Sequence, residues 1–208
     1  MGWVYQMSER IGKIERPSAE RFKGKRKICF IPLVYTWEDA PEDYKTLIKR
    51  YWEEIREQTA NMEEKVGKIA KIYHELLFLS GENGIKELEK LNKESYELVR
   101  GECEKGAELV GTEERELAEA CTDWERCLAI GLKNEKVRTK ISKFYMDASE
   151  ERYRYVAEKI GETLKDGENG ILFFGERHWI QFPEEIEVFN VYPPALDDIH
   201  RWLRDRLI

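Results

Sequence analysis

The chain reads as an α/β protein with a mainly parallel sheet flanked by helices. Three observations predict this. Short apolar runs, Ile28-Cys29-Phe30-Ile31-Pro32-Leu33-Val34 and Ile171-Leu172-Phe173-Phe174-Gly175, have the length and character of buried strands. A third run, Ile186-Glu187-Val188-Phe189-Asn190-Val191, alternates in the manner of a half-buried strand. Between them lie long segments with helical apolar spacing, and strands alternating with helices favour parallel pairing.

Taken in order, residues 1–26 form a basic leader that we expect to be flexible, and residues 27–208 a single α/β domain. Strand 27–34 contains Pro32, which cannot donate to a ladder. The strand is therefore expected either at an edge or ending at the proline. Tyr35 to Pro41 is a loop. From Glu42 to Val66, Tyr44, Leu47, Ile48, Tyr51, Trp52 and Ile55 recur at three- and four-residue steps and form one apolar stripe. Residues 69–79 are ambiguous between strand and helix. Ser80-Gly81-Glu82-Asn83-Gly84 reads as a turn and 85–105 as a helix. Residues 106–111 are a short strand candidate, and Thr112 is placed to cap the helix that follows. Helices are expected over 113–131, 135–146 and from Ser149 to about Leu164, then strands 171–175 and 186–191. A terminal helix from Ala195 to Leu207 follows Pro193-Pro194. The stretch 112–165 exceeds what one crossover needs and is read as a helical insertion, a lid or a partner surface.

Composition narrows the function. Of 208 residues 41% are hydrophobic and 37% charged, which supports a sizeable core and excludes a weakly hydrophobic disordered chain. No apolar run approaches the roughly 18–20 residues of a membrane span. The segment Met1–Arg26 lacks a signal-like apolar region, so a cytoplasmic setting without a membrane partner is expected. Cys29, Cys103, Cys121 and Cys127 show no CxxC spacing and read as free thiols. The net charge of −7, without a basic stripe carrying interleaved aromatics, argues against nucleic acid as a partner. The patterns GxSxG, Walker A, GxGxxG and HExxH are absent.

Ligands of open α/β sheets bind beyond the carboxyl ends of the strands, so the residue after each apolar run is a candidate. These are Tyr35, then Tyr73 with His74 and Glu75 if that segment is a strand, Glu113, and Glu176 with His178. His178 follows a core strand and a glycine, and His200 falls on the terminal helix. Two histidines and two carboxylates at strand ends would suit a divalent metal if they converged, which leaves a metal site open.

Two segments carry a resemblance. Glu151-Arg152-Tyr153-Arg154-Tyr155-Val156-Ala157-Glu158-Lys159-Ile160, followed by Gly170-Ile171-Leu172-Phe173-Phe174-Gly175-Glu176-Arg177-His178, resembles the C-terminal signature of the TraB, erythromycin-esterase-like and ChaN-type proteins. That signature is an Arg-Asp pair, a hydrophobic-Ala step, a helix, then a strand ending in Gly-x-x-His. Phe30-Ile31-Pro32, Lys71-Ile72-Tyr73 and Gly111-Thr112-Glu113 are also similar to segments of an uncharacterised prokaryotic family. The resemblance implies an α/β fold with a strand-end site containing Arg152 and His178, in a group that includes hydrolases and a haem binder. Tyr153 stands where the group has Asp, and the first strand leads to Tyr35 where in the group it usually leads to a histidine or a Glu-x-x-His.

Two functional expectations follow. In a small-molecule hydrolase, His178 is the general base, Glu113 orients it or acts as a second base, and Arg152 holds an anionic group. Tyr35, Tyr73 and Glu176 then contact the ligand. In a non-catalytic member, the same pocket holds a metabolite or a haem, with His178 as axial ligand. Otherwise the long helices dock a partner, including a second copy of the chain. The sequence fixes no cofactor.

Overall fold

The computed structural model describes residues 24–206. The basic leader up to Lys23, and Leu207 of the expected terminal helix, lie outside the described residues. The order of elements is β1 (Arg26–Pro32), α1 (Glu42–Val66), β2 (Ile69–His74), α2 (Gly81–Leu91), α3 (Lys93–Glu104), β3 (Glu108–Val110), α4 (Arg115–Ala129), α5 (Glu135–Thr163), β4 (Asn169–Phe174), β5 (Ile186–Asn190) and α6 (Pro194–Arg206). The five strands form one sheet in the order β3-β2-β4-β1-β5. Every pairing is parallel.

All six residues of β4 are buried, as expected of a run that lies at the centre of a covered parallel sheet. Pro32 resolves in favour of its second alternative. β1 pairs on both sides, but its ladder with β5 stops at the Phe30–Asn190 pair, and Pro32 sits beside Phe174 alone. The missing N–H therefore falls where only one neighbour remains.

Side chains alternate across the sheet into two cores. On one face Ile31, Ile72, Ile171 and Phe173 meet Tyr51, Trp52 and Ile55 of α1, with Leu98 and Val99 of α3 and Ile199 of α6. On the other, Ile28, Phe30, Leu172 and Phe174 meet Tyr153, Val156 and Ile160 of α5. Gly170 is dictated by this packing, because a Cβ there would lie 2.9 Å from Ile28 Cδ1.

Four local expectations are corrected. The expected turn at 80–84 is the first turn of α2, and the expected helix 85–105 is two helices broken at Asn92. Asn92 is extended (φ −154°) and its side chain accepts from Ser95 N, capping α3. Thr112 does not cap α4. Its hydroxyl accepts from His74 N and donates to Val110 O, and Glu114 is the cap, accepting from Leu117 N. The two expected helices over 135–164 are one helix, α5. Its second half alone is buried on the sheet, from Ser149 to Ile160. α4 and the first half of α5 pack on each other as the helical insertion between β3 and β4.

Candidate active site

Four of the five strand ends supply a group to one place. Glu75 follows β2, Glu113 lies three residues beyond β3, Gly175 follows β4, and α5 raises Arg152 to meet them. Arg152 grips Glu113 with two hydrogen bonds, Nε to Oε2 at 2.5 Å and Nη2 to Oε1 at 2.6 Å. The same Nη2 donates to Glu75 Oε1 at 3.1 Å. The other Glu75 oxygen accepts from Gly175 N at 2.9 Å, and Glu113 Oε1 also accepts from Leu76 N at 2.8 Å. Tyr35, after β1, lies within electrostatic reach of all three charged groups.

The backbone is built around this cluster. Leu76 adopts φ 60°, a left-handed conformation unfavourable for a leucine, and thereby directs its amide at Glu113. Leu77 O accepts from both Thr112 N and Glu113 N, which ties the β2–α2 turn to the β3–α4 turn. The Glu113 side chain is wholly buried, and Arg152 and Glu75 retain 9% and 16% exposure. Burial pushes the Glu75 carboxyl above its ordinary range. Arg152 opposes that shift and the Glu113 charge adds to it. Burial alone would lower Arg152, but the hydrogen bond and charge of Glu113, with the charge of Glu75, hold it above its ordinary value. Desolvation raises the Tyr35 hydroxyl, the charges of Glu75 and Glu113 add to this, and Arg152 opposes it.

His178 stands beside the cluster without bonding to it. Its ring packs edge-on against Phe30, with centroids 4.6 Å apart, and against Phe174 at 5.6 Å. The Arg152 guanidinium lies 5.2 Å from the same Phe174 ring. Nδ1 of His178 accepts from Ile180 N at 3.1 Å, so in the neutral ring the proton sits on Nε2. Burial pushes the His178 pKa down, which favours that neutral form.

Several expected partners lie elsewhere. Tyr73 is fully buried, and its hydroxyl bonds Thr163 Oγ1 at 2.9 Å near the C-terminus of α5. Period-two alternation sends the ring into the core that α5 covers. Glu176 turns to His200 of α6, 2.8 Å away. Glu113 touches Arg152 and Leu76 rather than His178, and it is fully satisfied, so it positions Arg152 and does not orient the histidine. His74 is fully buried, donating through Nδ1 to Glu75 O at 2.7 Å and meeting Ser95 Oγ at Nε2. Among the described residues no three His, Cys, Asp or Glu side chains are grouped to hold a metal ion. Glu75 entered the sequence reading only as a candidate conditional on 69–79 being a strand, and it received no role. It carries the same strand-end signal as Glu113.

Two clefts are lined by chain neighbours of the cluster, though Glu75, Glu113, Arg152 and His178 line neither. One of about 900 Å³ lies between α2 and α4 and is lined by Leu76, Phe78 and Arg115. The other, about 690 Å³, includes Tyr153 and Trp179. The fold and cluster together define an α/β protein with a charge-paired site at the carboxyl edge of a parallel sheet. Comparison of the chain with protein-family models, curated proteins and solved structures finds no match.

Proposed function

We propose that the protein binds a small polar molecule at the carboxyl edge of its sheet and acts on it in a hydrolase-like way, with Glu75 as the general acid–base group. One observation carries this reading. Glu75 is a carboxylate with a raised pKa, held in one orientation by Arg152 and Gly175 N–H, yet still reached by solvent. Such tuning brings a carboxyl toward neutral pH, where proton transfer is most effective.

The other groups take supporting parts. Glu113 and Leu76 fix Arg152 and the turn. His178 presents Nε2–H as a donor, which suits stabilisation of developing negative charge better than proton abstraction. The expectation that Arg152 holds an anion fits less well, because two of its nitrogens already serve carboxylates. Two carboxylates against one guanidinium leave one net negative charge, so an uncharged or cationic ligand is favoured. A haem or metal held through Nε2 of His178 would require the proton on Nδ1, facing the Ile180 N–H that Nδ1 now accepts. The residues present do not fit that group. Kinship with the TraB, erythromycin-esterase-like and ChaN-type proteins is proposed on the sequence segments around Arg152 and His178 alone.

The test is turnover of para-nitrophenyl acetate, an uncharged ester, by the full chain and by Glu75→Gln. The variant is expected to lose activity on the order of 100-fold, in keeping with removal of a general acid–base group, while its melting temperature is retained. A Glu75→Gln chain with the wild-type rate overturns the assignment.

A further inference from the structure

The helical insertion leaves an unusual surface. From residue 122 to residue 148, across the end of α4, the connecting loop and the first half of α5, no residue is buried. The segment is nonetheless rich in apolar side chains. Ile130, Val137, Phe144 and Met146 are 75%, 46%, 47% and 61% exposed. Val137, Ile141 and Phe144 follow i, i+4, i+7 spacing and so share one stripe of α5. Within the chain the two helices touch through Trp124 on Phe144, with ring centroids 5.0 Å apart, and Cys121 on Ser149. Beyond the buried Cys121–Ser149 contact, the outer part of this helix pair has one shared seam and no buried residue, and so lacks the second layer that amphipathic helices need.

Charge says what that layer is. α4 carries four acidic residues, Glu116, Glu119, Asp123 and Glu125, against two basic ones. The first half of α5 carries Lys136, Arg138, Lys140 and Lys143 against Glu135 and Asp147. If these opposite charges served only to hold the hairpin together, ion pairs would join α4 to α5. None does: Glu119 and Asp123 pair with Arg115 and Arg126 of α4 itself, and the four α5 cations form no ion pair among the described residues. The surface is therefore self-complementary. A two-fold axis sets the acidic α4 of one copy against the basic α5 of the other, twice over, and brings the two apolar stripes together.

We infer that the α4–α5 hairpin is a homodimerisation element, and that two copies pair through it as a four-helix bundle. The test is the solution mass of the full chain by sedimentation equilibrium at low salt, with circular dichroism confirming the fold of each variant. Wild type is expected at twice the chain mass. A triple variant, Lys136→Glu with Lys140→Glu and Lys143→Glu, is expected to be monomeric, because α4 then faces like charge. The reciprocal variant, Glu116→Lys with Glu119→Lys and Asp123→Lys, is expected to be monomeric as well. An equimolar mixture of the two is expected to recover the doubled mass, since both contacts in the heterodimer again join opposite charges. Should either triple variant lose helicity, Val137→Asp, a replacement of an exposed side chain, is expected to shift wild type toward monomer. A monomeric wild type overturns the inference. So does a dimer unaffected by reversal and by Val137→Asp, or a mixture of folded variants that stays monomeric.

Discussion

Replacing Arg152 by methionine isolates the energetics of the strand-end cluster. Methionine keeps most of the aliphatic stem over Phe174 but removes the charge. Glu113 is then left with one backbone donor, Leu76 N, and no counter-charge, in a position with 0% side-chain exposure. A buried carboxylate in that state is destabilising, and breaking a buried ion pair typically costs roughly 3–5 kcal/mol. The pH dependence comes from Glu75. Arg152 opposes the burial that raises the Glu75 pKa, so without Arg152 that pKa rises further above its unfolded value. The native state of the variant then binds more protons, and its loss of stability is larger at pH 7 than at pH 5. Urea denaturation of wild type and Arg152→Met at pH 7 and pH 5 measures both differences. A loss of stability that is the same at both pH values refutes the reasoning, because the Glu75 carboxyl would then not sense Arg152.

Three further outcomes follow from the core and its histidines. Burial pushes the His74 pKa down to about 4 while its unfolded value is near 6.5, so its contribution is present above about pH 6.5 and is lost as pH falls toward 4. The shift corresponds to about 3 kcal/mol, and His74→Gln should flatten the fall in stability between pH 7 and pH 5 measured by urea titration. Phe173→Ala, which removes a fully buried ring between α1 and the sheet, should cost roughly 3–5 kcal/mol by the same method. His178→Ala, past the end of β4, should cost on the order of 1 kcal/mol while reducing ester turnover; a loss equal to that of Phe173→Ala would make the histidine a structural residue.

Much of the scaffold was legible because the signals that specify it are local. The α1 stripe from Tyr44 to Ile55 and the runs at 28–34 and 171–175 are read directly from apolar spacing, and the elements form where expected. The misreadings have physical causes. Gly81 and Gly84 resemble a turn, yet α2 begins there: Ser80 Oγ accepts from Gly111 N, and Glu87 of the helix accepts from Phe78 N and Leu79 N. Asn92 looked like an ordinary helical residue because its capping bond to Ser95 depends on an extended backbone. The segment 69–79 stayed ambiguous because its apolar residues keep neither strict alternation nor a single helical stripe. That ambiguity left Glu75 a conditional candidate without a role.

What the sequence by itself determined is the class of fold and the strand ends at which polar groups would appear, because apolar periodicity and chain punctuation are properties of neighbouring residues. Tertiary structure decided which of those groups meet. Glu75, Glu113 and Arg152 are 38 and 39 residues apart along the chain, and they converge only because β4 inserts between β2 and β1 while α5 crosses beneath it. The same register turned Tyr73 inward, since a strand residue's face depends on its pairing and not on its type, and the turn after β4 carried Glu176 to His200. Charge pairing among distant buried groups is set by topology, and no local pattern encodes it.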